Sequence, residues 1–316
     1  MVQKNNRAEL RLIAFPGAPN LPIFAGLEHG FFEAAGLDLE IETTPSSKYQ
    51  IEALVTGRYD IAATAFDNVV AYREGQGAIE LPTPPDLFVF MGATRIELSL
   101  VVAPEIREFA DLRGKPLALD ALATGFAFVL YHMLEQAGLA LEDCELVPVG
   151  ATPQRWQAVR DGAAAGTLTI EPFTSVAEAQ GFHVLQSSRE CLPDYQGGIF
   201  TASRAWAEAH ETELAAFMRG YLDGLAWTLD PANYEAATAL LLERMPAIKP
   251  RVAPAVMAKL LDPATGLTPG GAVDEAGMRT VLELRSRYAK PNKQLESTEP
   301  YLDLSSYANV TGNVPI

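Results

Sequence analysis

Hydrophobic positions along this chain fall into short apolar runs separated by longer, helix-like segments. LRLIAF (10–15), LDLEIE (37–42) and YDIAAT (59–64) have the length and composition of strands. Between them, one apolar helix is predicted to run to Gly36 and a second to end at Gly57. The predicted strands end in loops of small, polar and aromatic residues, such as FPGAPN after the first and AFDN after the third. Repeated strand–loop–helix units build a parallel sheet. Their loops gather at the carboxyl edge of the strands, where open α/β sheets bind small molecules. The pattern therefore points to a ligand-holding protein before any catalytic motif comes into view.

Further along, AFDNVVAYREGQG predicts a helix starting near Phe66. Asp67 and Asn68 are placed to satisfy its first-turn amides, and it ends at Gly75 or Gly77. Pro82, Pro84 and Pro85 break the pattern, and strands are expected at 87–91 and 98–102. The middle third repeats the alternation. It has a strand at 116–120, a helix ending at Gly138 with Phe126, Leu130, Met133 and Leu134 on one face, and a strand at 144–149. A helix holding Trp156 and Val159 comes next, then a strand at 166–170 and a helix opened by Glu171-Pro172. GGIFTAS forms a last strand. Beyond it Leu214, Phe217, Met218, Tyr221 and Leu225 mark one buried helical stripe. More helices are expected from Asp230-Pro231, over 253–261 and over 274–288, and the polar tail is expected to wrap over the surface.

The fold class is thus α/β, with two lobes and a helical C-terminal part. Interlobe crossings are placed near 102–105 and 194–197, so that the first lobe comprises 1–103 plus 197–316 and the second, 104–196, is an insertion. A cleft between such lobes closes on a ligand by hinge motion.

Composition narrows the function. At 316 residues the chain exceeds one ordinary core, and 48% hydrophobic with 20% charged residues is that of a folded protein. A net charge of -16 argues against a nucleic-acid partner and against docking on an anionic membrane. No apolar run approaches the ~18 residues of a membrane span, so no direct membrane insertion is expected. The opening MVQKNNRAELRL lacks the apolar stretch of a secretory signal, which leaves a cytoplasmic protein and a mature exported domain both open. Cys144 and Cys191 have no metal-ligand spacing with each other or with the scattered His29, His132, His183 and His210, so neither a metal nor a cofactor is expected. The two cysteines are read either as free thiols or as one disulfide. G-x-S-x-G, H-E-x-x-H and G-x-x-x-x-G-K motifs are absent from the sequence.

An ordered set of phrases resembles one family. AGLEHGFFEAAGLDLEIE, ALVTGRYDIAAT, DLRGKPLAL, TGFAFVLYHMLEQAGL, AVRDGAAAGTLTIEPF and GGIFTASRAWAEAHETELAAFMRGYLDGLAW follow one another over about the first 230 residues. Together they resemble the type II periplasmic binding proteins of the nitrate/sulfonate/taurine and thiamine-precursor-like group. The resemblance implies a two-lobe periplasmic-binding-protein type II fold with two interlobe crossings. It also implies a monomer in the periplasm, a small-molecule ligand, and an ABC-transporter membrane permease as partner. Two departures stand out. Leu168 and Thr169 follow Gly166 where the family carries Asp-Ala, and Thr124-Gly125-Phe126 replaces the Gly-Ser-Thr of sulfonate binders.

The alternative is an enzyme on the same fold, similar to thiamine-pyrimidine synthesis enzymes or to desulfinases. The first use a cysteine-rich metal segment. The second need a nucleophilic cysteine in the first cleft loop, here FPGAPNLPIF. A lone Asp67 or Glu171 leaves acid–base chemistry open.

By loop position the candidate ligand-binding residues are Asn20, Phe66, Asp67, Asn68, Arg95, Thr124, Gly125, Phe126, Glu171 and Tyr195. Helix-end amides beside Asn20 can receive a polar group, and Gly125 permits close backbone approach. Each has a second reading. Asp67 or Asn68 equally serves as a helix cap, Phe66 and Phe126 as core, Glu171 as a first-turn acid and Arg95 as a surface ion pair. Phe66, Phe126, Phe173 and Tyr195 would suit a flat aromatic or heterocyclic ligand. An organic anion such as a sulfonate is the runner-up.

Overall fold

A computed structural model describes residues 7–312, so part of the opening segment read for an export signal, and the last four residues of the tail, lie outside the described residues. Among the described residues ten strands form two sheets. The first contains β1 (Ala8–Ala14), β2 (Leu37–Thr43), β3 (Ile61–Ala65), β4 (Leu87–Thr94) and β10 (Gly198–Ser203) in the order β2-β1-β3-β10-β4. The second contains β5 (Ser99–Val102), β6 (Pro116–Leu119), β7 (Glu145–Pro148), β8 (Gly166–Thr169) and β9 (His183–Ser187) in the order β7-β6-β8-β5-β9. In each sheet three strands run parallel, and a strand that has crossed from the other half inserts antiparallel beside them: β10 between β3 and β4, and β5 between β8 and β9.

This pairing corrects the expected boundary. The 98–102 strand is expected before the first crossing, within 1–103, yet β5 pairs with β8 and β9 in the second sheet. All four of its residues are buried, so its apolar pattern carries no hint of which sheet it joins. The chain passes between sheets over 95–98, and returns over 188–197. These two passages touch. Ile96 has a left-handed backbone (φ 55), and a Cβ on Gly197 would lie 2.5 Å from the Ile96 Cβ, so glycine is required there.

Helices cover both sheets. In the first lobe Phe217 and Tyr221, from the helix Glu211–Leu229, pack on Phe200 of β10 with ring centroids 5.1 and 4.6 Å apart. The expected 253–261 helix is present as Ala253–Leu261, and the 274–288 helix as Glu275–Tyr288, preceded by Asp274. That last helix is not confined to the first lobe. It packs against Phe66–Arg73 of the first unit and Gly125–Gln136 of the second, and stacks Tyr288 on Phe128. Edge strand β9, half-buried throughout, has no counterpart in the sequence reading. Cys144 and Cys191 are free thiols. No helix among the described residues is long and apolar enough to cross a membrane.

Phe66 opens its helix but turns inward. It is fully buried and meets Tyr301 edge-on at 6.0 Å. Its role is core, which corrects its place among the ligand candidates. Phe66→Ala is expected to cost roughly 3–5 kcal/mol of stability, read from denaturant unfolding.

Candidate functional site

Six helices start at the facing carboxyl edges of the two sheets. Leu21–Glu28, Ser47–Val55 and Phe66–Arg73 follow β1, β2 and β3, and Gly125–Gln136, Thr152–Arg160 and Phe173–Glu178 follow β6, β7 and β8. Residues at or near their first turns line a cavity of about 90 Å³ between the lobes. One water needs about 10–15 Å³ on this measure, so a small organic molecule fits. Phe15, Ile23, Phe126, Ile170 and Ile199 supply much of the apolar wall.

Four hydrogen bonds cross between the lobes around this space. Ala18 N donates to Glu171 O at 3.0 Å and Ala151 N to Pro45 O at 2.9 Å. Ser47 N donates to Asp120 Oδ2 at 3.0 Å, and Gly125 N to Asp67 Oδ2 at 2.6 Å. The last of these belongs to a buried node. Asp67 Oδ1 accepts from Arg285 Nη1 at 2.6 Å, while Arg285 Nε and Nη2 donate to the side-chain and backbone oxygens of Gln76. The Arg285 guanidinium also lies 5.1 Å from the Phe128 ring centroid. A Cβ on Gly125 would come within 2.5 Å of Asp67 Cγ, so only glycine lets the carboxylate reach the helix end.

A second buried cation, Arg155, lines the cavity itself. Nη1 donates to Gly150 O, and Nη2 to Thr152 Oγ1 and Leu168 O. Its guanidinium sits 5.8 Å from the Phe126 ring centroid. Burial pulls its pKa down to about 10 against the opposing field of Asp120, so it stays charged at neutral pH. Arg155 Nε, Asp120 Oδ1, Ser47 Oγ and Thr94 Oγ1 are buried without a partner, and all four residues line the cavity.

Of the residues expected from sequence, Asn20, Asp67, Asn68, Thr124, Gly125 and Phe126 line the cavity. Several are already engaged. Asn20 Nδ2 donates to Phe15 O, Asn68 Nδ2 to Thr64 Oγ1, and the Thr124 hydroxyl caps its helix at Ala127 N. The other four lie elsewhere. Phe66 is core. Arg95 is half-exposed and ion-paired with Asp274 at 3.6 Å, its aliphatic neighbour Ile96 reaching the cavity instead. Tyr195 is buried behind Gly125, its phenol pushed well up by burial and by Asp67.

Glu171 faces a smaller adjoining cavity with Lys259 and Thr174. It is bonded to Lys259 at 3.2 Å and Ser175 at 3.0 Å, yet burial still raises its carboxyl above the usual range. Phe173 packs in a separate cluster with Trp156. Ser47, Thr94, Asp120, Thr152 and Arg155 went unnamed from sequence. All five sit at strand ends or first turns, the rule that selected the others, so that rule applied evenly would have found them.

Two α/β lobes, each with a crossed-over antiparallel strand and closing on a cavity at their carboxyl edges, make this a periplasmic-binding-protein fold. Solved structures share it. A protein of Bordetella bronchiseptica RB50 superposes with a TM-score of 0.81 at 19% identity, over 97% of this chain and 98% of that one. The alkanesulfonate-binding protein SsuA of Xanthomonas axonopodis pv. citri, bound to MOPS, gives 0.74 at 17% identity over 93% and 98%. The NMT1/THI5-like family pattern matches residues 19–233, more than half of the sequence, and the chain belongs to that family. It is also similar to the formylaminopyrimidine-binding protein of Halalkalibacterium halodurans, 25% identical over 240 residues, 74% of this chain and 69% of that one.

Two outcomes test this geometry. Arg285→Met strands the buried Asp67 charge and is expected to cost about 3–5 kcal/mol in denaturant unfolding. Glu171 has a folded-state pKa above its unfolded value, so its contribution to stability is fullest in acid and fades as pH rises through the raised pKa. Thermal melting followed from acid to neutral pH should therefore show this loss in the wild type and a flatter profile in Glu171→Gln.

Proposed function

We propose that this protein is the solute-binding component of an ABC importer, capturing a small uncharged organic molecule between its lobes and presenting the closed form to a membrane permease. The observation that carries this reading is the interlobe cavity, ringed by bonds that cross from one lobe to the other and lined by buried polar atoms with no protein partner. Family membership and the relatives' named roles support it. Periplasmic neighbours of solved structure, a sulphonate-binding and a nitrate-binding protein, support action outside the cytoplasmic membrane. Ligand contacts from both lobes lower the free energy of closure, and the population shifts accordingly.

An aromatic heterocycle fits better than an oxyanion. Helix-end amides would hold an oxyanion, but here the Asp67 carboxylate occupies the Gly125 amide and Asp120 occupies the Ser47 amide. A sulfonate entering this space would find both of these amides already taken. The pyrimidine named for the Halalkalibacterium relative has the flat, uncharged character that Phe15 and Phe126 accommodate.

The desulfinase-like alternative finds no cysteine among the residues that line the cavity. Cys144 and Cys191 lie outside its lining, and burial raises both thiols, the reverse of activation.

Thermal-shift assays should show stabilisation by a formylaminopyrimidine and none by ethanesulfonate or nitrate. Stabilisation confined to ethanesulfonate would overturn the heterocycle, and turnover of the bound compound would overturn the transport role.

A further inference from the structure

The four unpaired polar atoms carry more than the existence of a ligand. Asp120 and Arg155 are 9% and 2% exposed, Ser47 and Thr94 2% and 1%. Buried polar atoms in native proteins are nearly always partnered. Of those without a partner among the described residues, four belong to residues lining this one cavity, two from each lobe, and a guest held there would give them bonds. Two of them are also fixed in direction. Asp120 spends Oδ2 on the Ser47 amide, which leaves Oδ1 free on a pinned carboxylate. Arg155 spends both terminal nitrogens on Gly150, Thr152 and Leu168, which leaves Nε–H free on a pinned guanidinium. No ion pair joins these two residues among the described contacts, although Asp120 is the charge that Arg155 feels most.

We propose that Asp120 Oδ1 and Arg155 Nε form the reading edge of the cavity, an acceptor and a donor that together select an uncharged heterocycle carrying an N–H beside a ring nitrogen or carbonyl. This rests on the solute-binding reading above and adds the atoms that set specificity. The exocyclic N–H of the solute donates to Asp120 Oδ1, and its ring nitrogen accepts from Arg155 Nε. The hydroxyls of Ser47 and Thr94, from the first lobe, bond the rest of its rim. The edge comes from the second lobe, so one small molecule ties the lobes together.

Charge agrees. Asp67 is matched by Arg285, and Asp120 by Arg155 on the same side of the cavity, so the walls carry no formal excess. An added anion would face Asp120 and an added cation Arg155. A purely structural Asp120, serving only as the partner of the Ser47 amide and the counter-charge of Arg155, would leave the ranking of two neutral ligands unchanged when asparagine replaces it.

That difference supplies the test. In Asp120→Asn the amide oxygen keeps the Ser47 bond, and an NH₂ donor replaces the free acceptor. Calorimetry on the full chain would use 4-amino-2-methylpyrimidine and 2,4-dimethylpyrimidine, alike in shape but differing in the exocyclic donor. The wild type is expected to favour the amine at least about tenfold, as sites built around a substrate N–H do. Asp120→Asn should lose that preference. It also removes the counter-charge of buried Arg155 and is expected to melt at a lower temperature, so the readout is the ratio of the two affinities, measured below that melting point. A second variant, Thr94→Val, removes an unpartnered hydroxyl. It should fold normally and bind the amine several-fold more weakly. Equal wild-type affinity for the two pyrimidines, or a preference that survives in Asp120→Asn, overturns the reading edge and leaves the solute-binding role standing. Binding of ethanesulfonate with neither pyrimidine overturns both. Binding of none of the three overturns the edge.

Discussion

One carboxylate holds the closed form together. Asp67 begins a first-lobe helix, yet its oxygens are used by the first amide of a second-lobe helix and by an arginine from the C-terminal helix. Three distant segments thus meet on one fully buried group. A charge in that position is tolerated only when paired and hydrogen-bonded. Asp67 is both, and the geometry that satisfies it exists only with the lobes together. Gly125 is the matching half of this constraint, because any side chain there would occupy the space of the carboxylate.

The same arrangement explains why the cavity differs in character from an anion site of similar layout. Helix starts converging on a cleft create a positive field. In this protein two aspartates consume that field at Ser47 and Gly125, and a second buried arginine restores balance. What remains is an apolar chamber with a few directed polar atoms, the usual composition of a pocket for a neutral organic molecule.

Much of this was legible in the residues. Period-two and period-3.6 patterns placed nine of the ten strands within a few positions, and loops at strand ends led to six cavity-lining residues. What the pattern could not carry was partner choice. β5 is apolar on both faces, and so reads identically in either sheet. β9 is a short, half-exposed edge with little periodic contrast. Arg155 and Arg285 share the buried faces of their helices with Val159 and with Met278, Val281 and Leu282, a spacing that separates them from exposed Arg160 and Arg287, but residue type argued for the surface. Phe66 and Arg95 sat at the right places in the chain but point away from the cavity, a matter of rotamer and packing that spacing does not encode.

The position of β10 bears on how the molecule is made. It lies inside the first sheet, bonded on both sides, although roughly a hundred residues separate it from β4. During synthesis the amino-terminal unit therefore emerges from the ribosome with a gap in its middle and two exposed strand edges. Such edges invite association with other chains. They are sealed only after the inserted half has been translated, so the nascent protein depends on the inserted half folding promptly, ahead of the strand that completes the first.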